Sequence, residues 1–317
     1  MSDRQEAAVT VAGAVGFFVA VQLGALWLRG PFAAAEYQAV ENPTDPANAA
    51  LYFGVLLVAT ALMLALLKFG RSGVLRAFVL LTSGLISAYV FSVFLPPIVG
   101  EPGTLHLGAL LGGTVIVVAL AAYPEWWVID AAGLVMGMGA AALFGISLGL
   151  LPVLLLLTAL AIYDAISVYG TEHMLTLASG VMELRVPVLI IIPTGRGFSF
   201  REMVADLSND AEDDGDGPLD RGAVFIGLGD VVIPTILVVS AATFLETATV
   251  FSVALPAVGA LIGTLLGLLS LLFFVMKGRA HAGLPLLNGG AIAGYLVGAV
   301  VAGVEFTRAL GLAGVLG

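Results

Sequence analysis

The sequence contains no cysteine. Disulfide frameworks, thiolate zinc sites, iron–sulfur clusters and cysteine nucleophiles are excluded together. Charge is scarce as well: Asp, Glu, Lys and Arg make up 11% of the 317 residues, and 12 Lys+Arg against 22 Asp+Glu leave a formal net charge of -10. With no basic surface to neutralise phosphates, the chain is not a nucleic-acid binder. Its three histidines, His106, His173 and His281, lie far apart and form no HExxH pair, which removes zinc-helix peptidase chemistry. What is abundant is apolar: 60% hydrophobic residues, 40 glycines and a mean hydropathy of +1.09. That is the composition of a chain embedded in a lipid bilayer.

A helix needs about 20 apolar residues to cross a hydrocarbon core of roughly 30 Å. Low-charge runs of that length predict nine spans, at 7–28, 49–67, 76–95, 105–122, 127–149, 151–169, 222–242, 250–275 and 284–304. The long apolar stretch around Gly149 to Pro152 must break, because of its length and because proline interrupts a helix. The leader MSDRQEAA is acidic and the first run exceeds a typical signal-peptide core, so the first segment is expected to remain as a membrane anchor.

Lys and Arg near span ends accumulate on the cytoplasmic side. With nine spans, Arg4, Lys68, Arg71, Arg76, Arg185, Arg196, Arg201, Arg221, Lys277 and Arg279 share one side, while only Arg29 and Arg308 face the other. The N-terminus is therefore expected inside and the C-terminus outside. The expectation is an all-α membrane protein in three parts: six helices in 1–170, a cytoplasmic loop in 171–221, and three helices in 222–317. Within the loop, the run Val188 to Ile192 is apolar enough to lie in or near the membrane, and NDAEDDGDG makes 206–220 read as a disordered, solvated tether. The segment Thr194 to Ser199 contains a lone GxG after a proline and reads as a turn rather than a phosphate loop.

A charge at the centre of a membrane helix costs roughly 2.5–3.5 kcal/mol on insertion scales, so acids inside spans are functional candidates. Of the 22 acids only Asp164, in the sixth span, and Asp230, in the seventh, lie well inside. Asp130 near the entrance of the fifth span, Glu246 in a turn and Glu305 at the end of the ninth read as polar caps or interfacial anchors. Asp164 sits about five residues before the end of its span and Asp230 about eight after the start of its own, which at 1.5 Å per residue places them roughly 8 and 12 Å from the same surface. Ala161 and Gly227, each three residues earlier on the same helical face, would then let the backbones approach. Two carboxyls close together in a poorly hydrated site share one proton, which leaves an acid and a base side by side, the chemistry of an aspartic protease. On spacing alone, separate hydrogen-bonding or ion-relay acids remain open.

At these residues the sequence resembles the presenilin and signal peptide peptidase family of intramembrane aspartyl proteases. Tyr163-Asp164 matches the family's YD on the sixth helix, Gly227-Leu228-Gly229-Asp230 its GxGD on the seventh, and Pro285-Leu286-Leu287 lies where its PAL motif opens the ninth. Leu286 departs from the family's alanine, which puts the shape of the substrate groove in question. Gly283, Pro285, Asn288, Gly289 and Gly290 make a poor helix start, against a routine proline in a first turn as the bland alternative.

The resemblance implies a nine-span presenilin-like fold with Asp164 and Asp230 as the catalytic pair. It further implies that Tyr163, Gly227, Leu228, Gly229, Pro285, Leu286 and Leu287 shape the active site or bind substrate, and that no metal or cofactor is needed. Its substrates would be transmembrane-helix proteins in the lipid bilayer. The inside N-terminus favours the presenilin branch, and the compact chain favours a stand-alone homologue in a prokaryotic cell membrane. No accessory subunit is evident, and homo-oligomerisation is left open. The rival from another class is a proton- or cation-coupled transporter using the same carboxylates, against which stands the lack of an internal repeat. Serine chemistry of the rhomboid kind is set aside, because His106 and His281 lie at span edges and His173 in the loop.

Overall fold

A computed structural model describes residues 3–100, 104–170, 188–195, 197–209, 222–276 and 282–312. The helices are α1 (Asp3–Ala34), α2 (Ala47–Lys68), α3 (Ser72–Phe94), α4 (Leu107–Ala122), α5 (Trp126–Ser147), α6 (Leu150–Gly170), α7 (Phe200–Asn209), α8 (Leu228–Phe244), α9 (Leu255–Val275), α10 (Gly283–Val301) and α11 (Phe306–Ala309). Two antiparallel strand pairs accompany them: β1 (Leu189–Pro193) with β2 (Ala223–Gly227), and β3 (Thr249–Val250) with β4 (Val253–Ala254). Each predicted span contains one apolar helix. Seven are long and apolar enough to cross a membrane, and α4 and α8 are shorter, at 16 and 17 residues.

The predicted break holds: α5 ends at Ser147, α6 begins at Leu150, and Pro152 falls in its first turn. The turn is tight. Gly149 N–H donates to Pro43 O at 2.8 Å, and a Cβ on Gly149 would stand 3.0 Å from that oxygen, so the approach favours glycine.

Two predicted spans start too early. Residues 223–227, assigned to the seventh span, form strand β2, and 250–254, assigned to the eighth, fall in the β3–β4 hairpin. Ala-Val-Phe-Ile is as apolar as a span but carries the aromatic and β-branched residues that favour strands, and its partner β1 is the run Leu189-Ile190-Ile191-Ile192. The register pairs Leu189 with Gly227 and Pro193 with Ala223, and it is extended by Thr194 N–H to Gly222 O (3.0 Å) and Leu228 N–H to Val188 O (2.8 Å). Thus part of the long connection is ordered, as β1 and α7; the tether expected at 206–220 is helical at 206–209, the end of α7, and 210–220 lie outside the described residues.

Both faces of β1 are buried. Ile190 and Ile192 pack with Ala14, Phe18 and Val21 of α1, while Ile191 packs on the other face with Ile129 of α5 and Phe200 and Val204 of α7. Two acids at the start of α5 fix this arrangement. Asp130 Oδ1 accepts from Ile191 N–H at 2.8 Å, and Glu125 accepts from Ser199 Oγ (2.6 Å) and from the Phe200 (3.0 Å) and Trp126 (3.2 Å) N–H groups. Burial works to raise the Glu125 carboxyl, but these hydrogen bonds outweigh it and hold the group below the ordinary carboxylate range.

Helix α10 is held from two sides. Gly259, Gly263 and Gly267 of α9 face Gly294, Gly290 and Leu286 of α10, and a Cβ on any of the three would collide with the carbonyl oxygen opposite. The two backbones touch, as small residues permit between membrane helices. On its other side α10 packs against α6 and α8. Arg29, near the end of α1, donates to the Ala242 carbonyl in the last turn of α8, a cation at a helix C-terminus.

Candidate active site

The site is built where α6, the β2–α8 junction and the start of α10 meet. Gly227, with φ -63 and ψ 134, is the N-cap of α8, and Asp230 is the third residue of that helix. An acid at this position reaches back to the N-cap amide, and the Gly227 backbone hydrogen-bonds the Asp230 carboxyl. The first glycine of the motif has a steric reason too: a Cβ on Gly227 would lie 3.2 Å from Asp230 Oδ2. Gly227 is therefore not on a helical face three residues before Asp230, as expected from the sequence. It ends a strand, and the approach it permits is to the acid of its own motif.

Asp164, in the last two turns of α6, accepts from the N–H of Leu284 through Oδ2 at 3.1 Å. The residue before Leu284 meets the other acid: a Cβ on Gly283 would stand 3.2 Å from Asp230 Oδ2 and 3.4 Å from its Cγ. The two carboxyls thus meet at a single peptide unit, Gly283–Leu284, and lie within electrostatic reach of each other. Both are half-buried, and Gly229 beside Asp230 is exposed. Water has a way in.

The other residues singled out in the sequence divide by position. Leu228 is buried, packs with Phe18, Val21 and Met136, and its Cδ1 lies against Gly133 and Gly137 of α5. Leu287 is fully buried in the same cluster, with Leu268, Leu271 and Leu272. Leu228 anchors the start of α8, which carries Asp230, and Leu287 anchors the start of α10, which carries the Gly283–Leu284 unit. Pro285 falls in the first turn of α10, where its missing N–H costs nothing, and the helix runs unbroken from Gly283 to Val301. Leu286 is half-buried against the cluster of Leu228 and Leu287, with its carbonyl facing Gly267, so packing accommodates the side chain larger than alanine. Tyr163 is 40% exposed and sets its ring edge-on to Phe53 of α2, centroids 6.3 Å apart.

Gly283 and Leu284 carry no polar side chain, and only the fold reveals what their backbone does. Asn288 is fully buried and donates from Nδ2 to Leu157 O of α6 at 3.0 Å. Asp130 was expected as an entrance anchor, and what it anchors is the edge of β1. His106 caps α4, accepting from Ala109 N–H at 3.2 Å.

Membrane helices that bring two carboxyls to one peptide unit have the arrangement that an aspartyl protease within the bilayer uses. The family model described as signal-peptide peptidase, presenilin aspartyl protease matches residues 15–304, and the chain belongs to that family. Two solved structures of a presenilin family intramembrane aspartate protease, in the C222 and P2 space groups, are similar to it. The first is 35% identical with a TM-score of 0.66 over 92% of this chain and 99% of that one. The second is 36% identical with a TM-score of 0.63 over 92% and 97%. No curated protein matches. The chain is an integral membrane aspartic endopeptidase of the intramembrane-cleaving class.

Proposed function

We propose that Asp164 and Asp230 are the catalytic pair of this protease and that they hydrolyse peptide bonds of transmembrane-helix substrates. The observation that carries this reading is the Gly283–Leu284 peptide unit, which meets Asp164 through the Leu284 N–H and Asp230 at Gly283. One carboxylate takes a proton from water, which attacks the scissile carbonyl, while the protonated partner donates to the carbonyl oxygen. Collapse of the tetrahedral intermediate moves a proton to the leaving amine and returns the pair to its starting state. Pro285 and Leu286, beside that unit, shape the groove from α10, Gly227 and Gly229 from the start of α8, and Tyr163 from α6 at the rim toward α2.

A substrate helix must unwind before its peptide bonds can be reached. In the antiparallel pair, residues 222, 224, 226 and 228 of the β2 strand turn toward β1, so Ala223, Phe225 and Gly227 present their backbone to the outer edge. That edge pairs with no other strand among the described residues and runs into Asp230, which suits it to receive an extended substrate segment. Strong hydrogen-exchange protection confined to other segments on adding a substrate-mimicking peptide would remove this part of the reading.

All nine apolar helices cross the membrane in this reading, with the N-terminus cytoplasmic and the C-terminus outside, and the arginine and lysine bias supports it. The α8 helix of 17 residues spans about 26 Å, less than a hydrocarbon core of roughly 30 Å, so its first turn and Asp230 lie below the surface and β2 lines a protein-walled cavity. The functional division is a six-helix part in 1–170, a cytoplasmic loop in 171–221 and a three-helix part in 222–317. In this reading the enzyme works without accessory subunits in a prokaryotic cell membrane.

The test is reconstitution in liposomes with a single-span substrate. A product cut inside the substrate's span supports the proposal. An intact substrate accompanied by proton or cation flux through the protein would replace it with a transporter.

A further inference from the structure

We infer that Asn288 is a positioning residue that holds the two carboxyls in register, an inference that rests on the protease reading above. Asn288 lies four residues after Leu284 on α10, and Leu157 seven residues before Asp164 on α6. The two helices are therefore tied at two heights. Near the membrane surface Leu284 N–H meets Asp164 Oδ2 at 3.1 Å, and deeper in the bilayer Asn288 Nδ2 meets Leu157 O at 3.0 Å. One tie alone is a pivot. Two fix both the tilt and the slide of α10 against α6, and with them the position of Gly283 against Asp230.

The chemistry of Asn288 separates this role from plain packing. The side chain is fully buried, and its Oδ1 has no partner among the described residues. A half-satisfied amide weakens a fold relative to an apolar side chain of the same size. Its use is to specify register, as single buried asparagines do between packed helices. On the α9 side the contact of α10 is backbone on backbone through glycines, which supplies closeness without a directional group.

The experiment compares the native protein with Asn288→Val, which replaces the amide by an apolar group of similar volume. The expected kcat falls about tenfold or more while KM stays within about threefold, because a shifted acid weakens the transition state and not substrate binding. The bell-shaped pH profile of kcat/KM narrows, since two carboxyls that move apart no longer separate each other's titrations. The Tm is equal to or higher than native. A native kcat and profile width would overturn the inference, and so would a lost rate that follows a lower Tm with the profile width unchanged.

A second readout does not need turnover. In this cysteine-free background, spin labels at Ile166→Cys and Val297→Cys, both at exposed positions, report the spacing of α6 and α10. Adding Asn288→Val broadens or shifts that distance distribution, and an unchanged distribution contradicts the tie. If the native protein cuts no substrate, the protease reading fails while the spacing measurement still decides whether Asn288 sets the register.

Discussion

Replacing Gly283 by alanine tests how closely the site is built. A Cβ there would lie 3.2 Å from Asp230 Oδ2 and 3.4 Å from both Cγ and Oδ1, tighter than ordinary van der Waals contact, so the carboxyl must give by a few tenths of an ångström. Misplacing a catalytic group by 1 Å can cost about 10²-fold, so half that shift costs roughly tenfold, or about 1.4 kcal/mol of barrier. Stability should move the other way. Gly283 is helical without a positive φ, and alanine gains up to about 0.5–1 kcal/mol over glycine in a helix. The control is Gly289→Ala, six residues on in the same helix, where a Cβ would meet nothing within 4 Å. Initial rates on a reconstituted single-span substrate, with Tm measured on the same samples, should give Gly283→Ala a lowered kcat, a native KM and an undiminished Tm, and Gly289→Ala native kinetics. Native turnover in Gly283→Ala, or an equal loss in both variants, would refute the placement of Asp230 against α10.

The two acids at the start of α5 make separate predictions. Glu125 is held below its unfolded value, so its contribution to stability is present above the unfolded carboxylate range and is lost as pH falls through the folded value. Differential scanning fluorimetry should show a native Tm that drops below about pH 4.5, a dependence that Glu125→Gln flattens, and identical acid profiles would count against the clasp on α7. Asp130→Asn keeps an acceptor for Ile191 N–H and should be mild. Asp130→Leu leaves that buried N–H unpaired at a cost of about 1–3 kcal/mol, and should lower both Tm and cleavage by loosening β1, unless the 2.8 Å bond contributes nothing.

Much of this was legible in the sequence because membrane burial makes charge expensive. Asp164 and Asp230 stand out as the acids deep in apolar runs, while their spacing alone leaves an ion relay open beside proteolysis. Helix positions followed from apolar length for the same reason. What composition could not separate was an apolar strand from the end of an apolar helix: residues 223–227 and 189–193 satisfy a hydropathy window, and only their pairing with each other shows that they are extended. Backbone roles were hidden as well. The Leu284 N–H that meets Asp164, and the Gly283 that admits Asp230, contribute no distinctive side chain. Leu228 and Leu287 sat inside motifs and so read as groove residues, yet both are buried anchors. Asn288 read as one of several poor helix formers, because its partner Leu157 O lies 131 residues away in sequence.

The central claim is that Asp164 and Asp230 act as one catalytic pair. The measurement that meets it most directly is cleavage of a single-span substrate, in one membrane preparation, by the native chain beside Asp164→Asn and Asp230→Asn. These variants keep shape and remove only the capacity to hold or give the proton. The account predicts product from the native chain and a loss of about 10³-fold or more in each variant, with the double variant no worse than either single one. Undiminished product from either variant would contradict it.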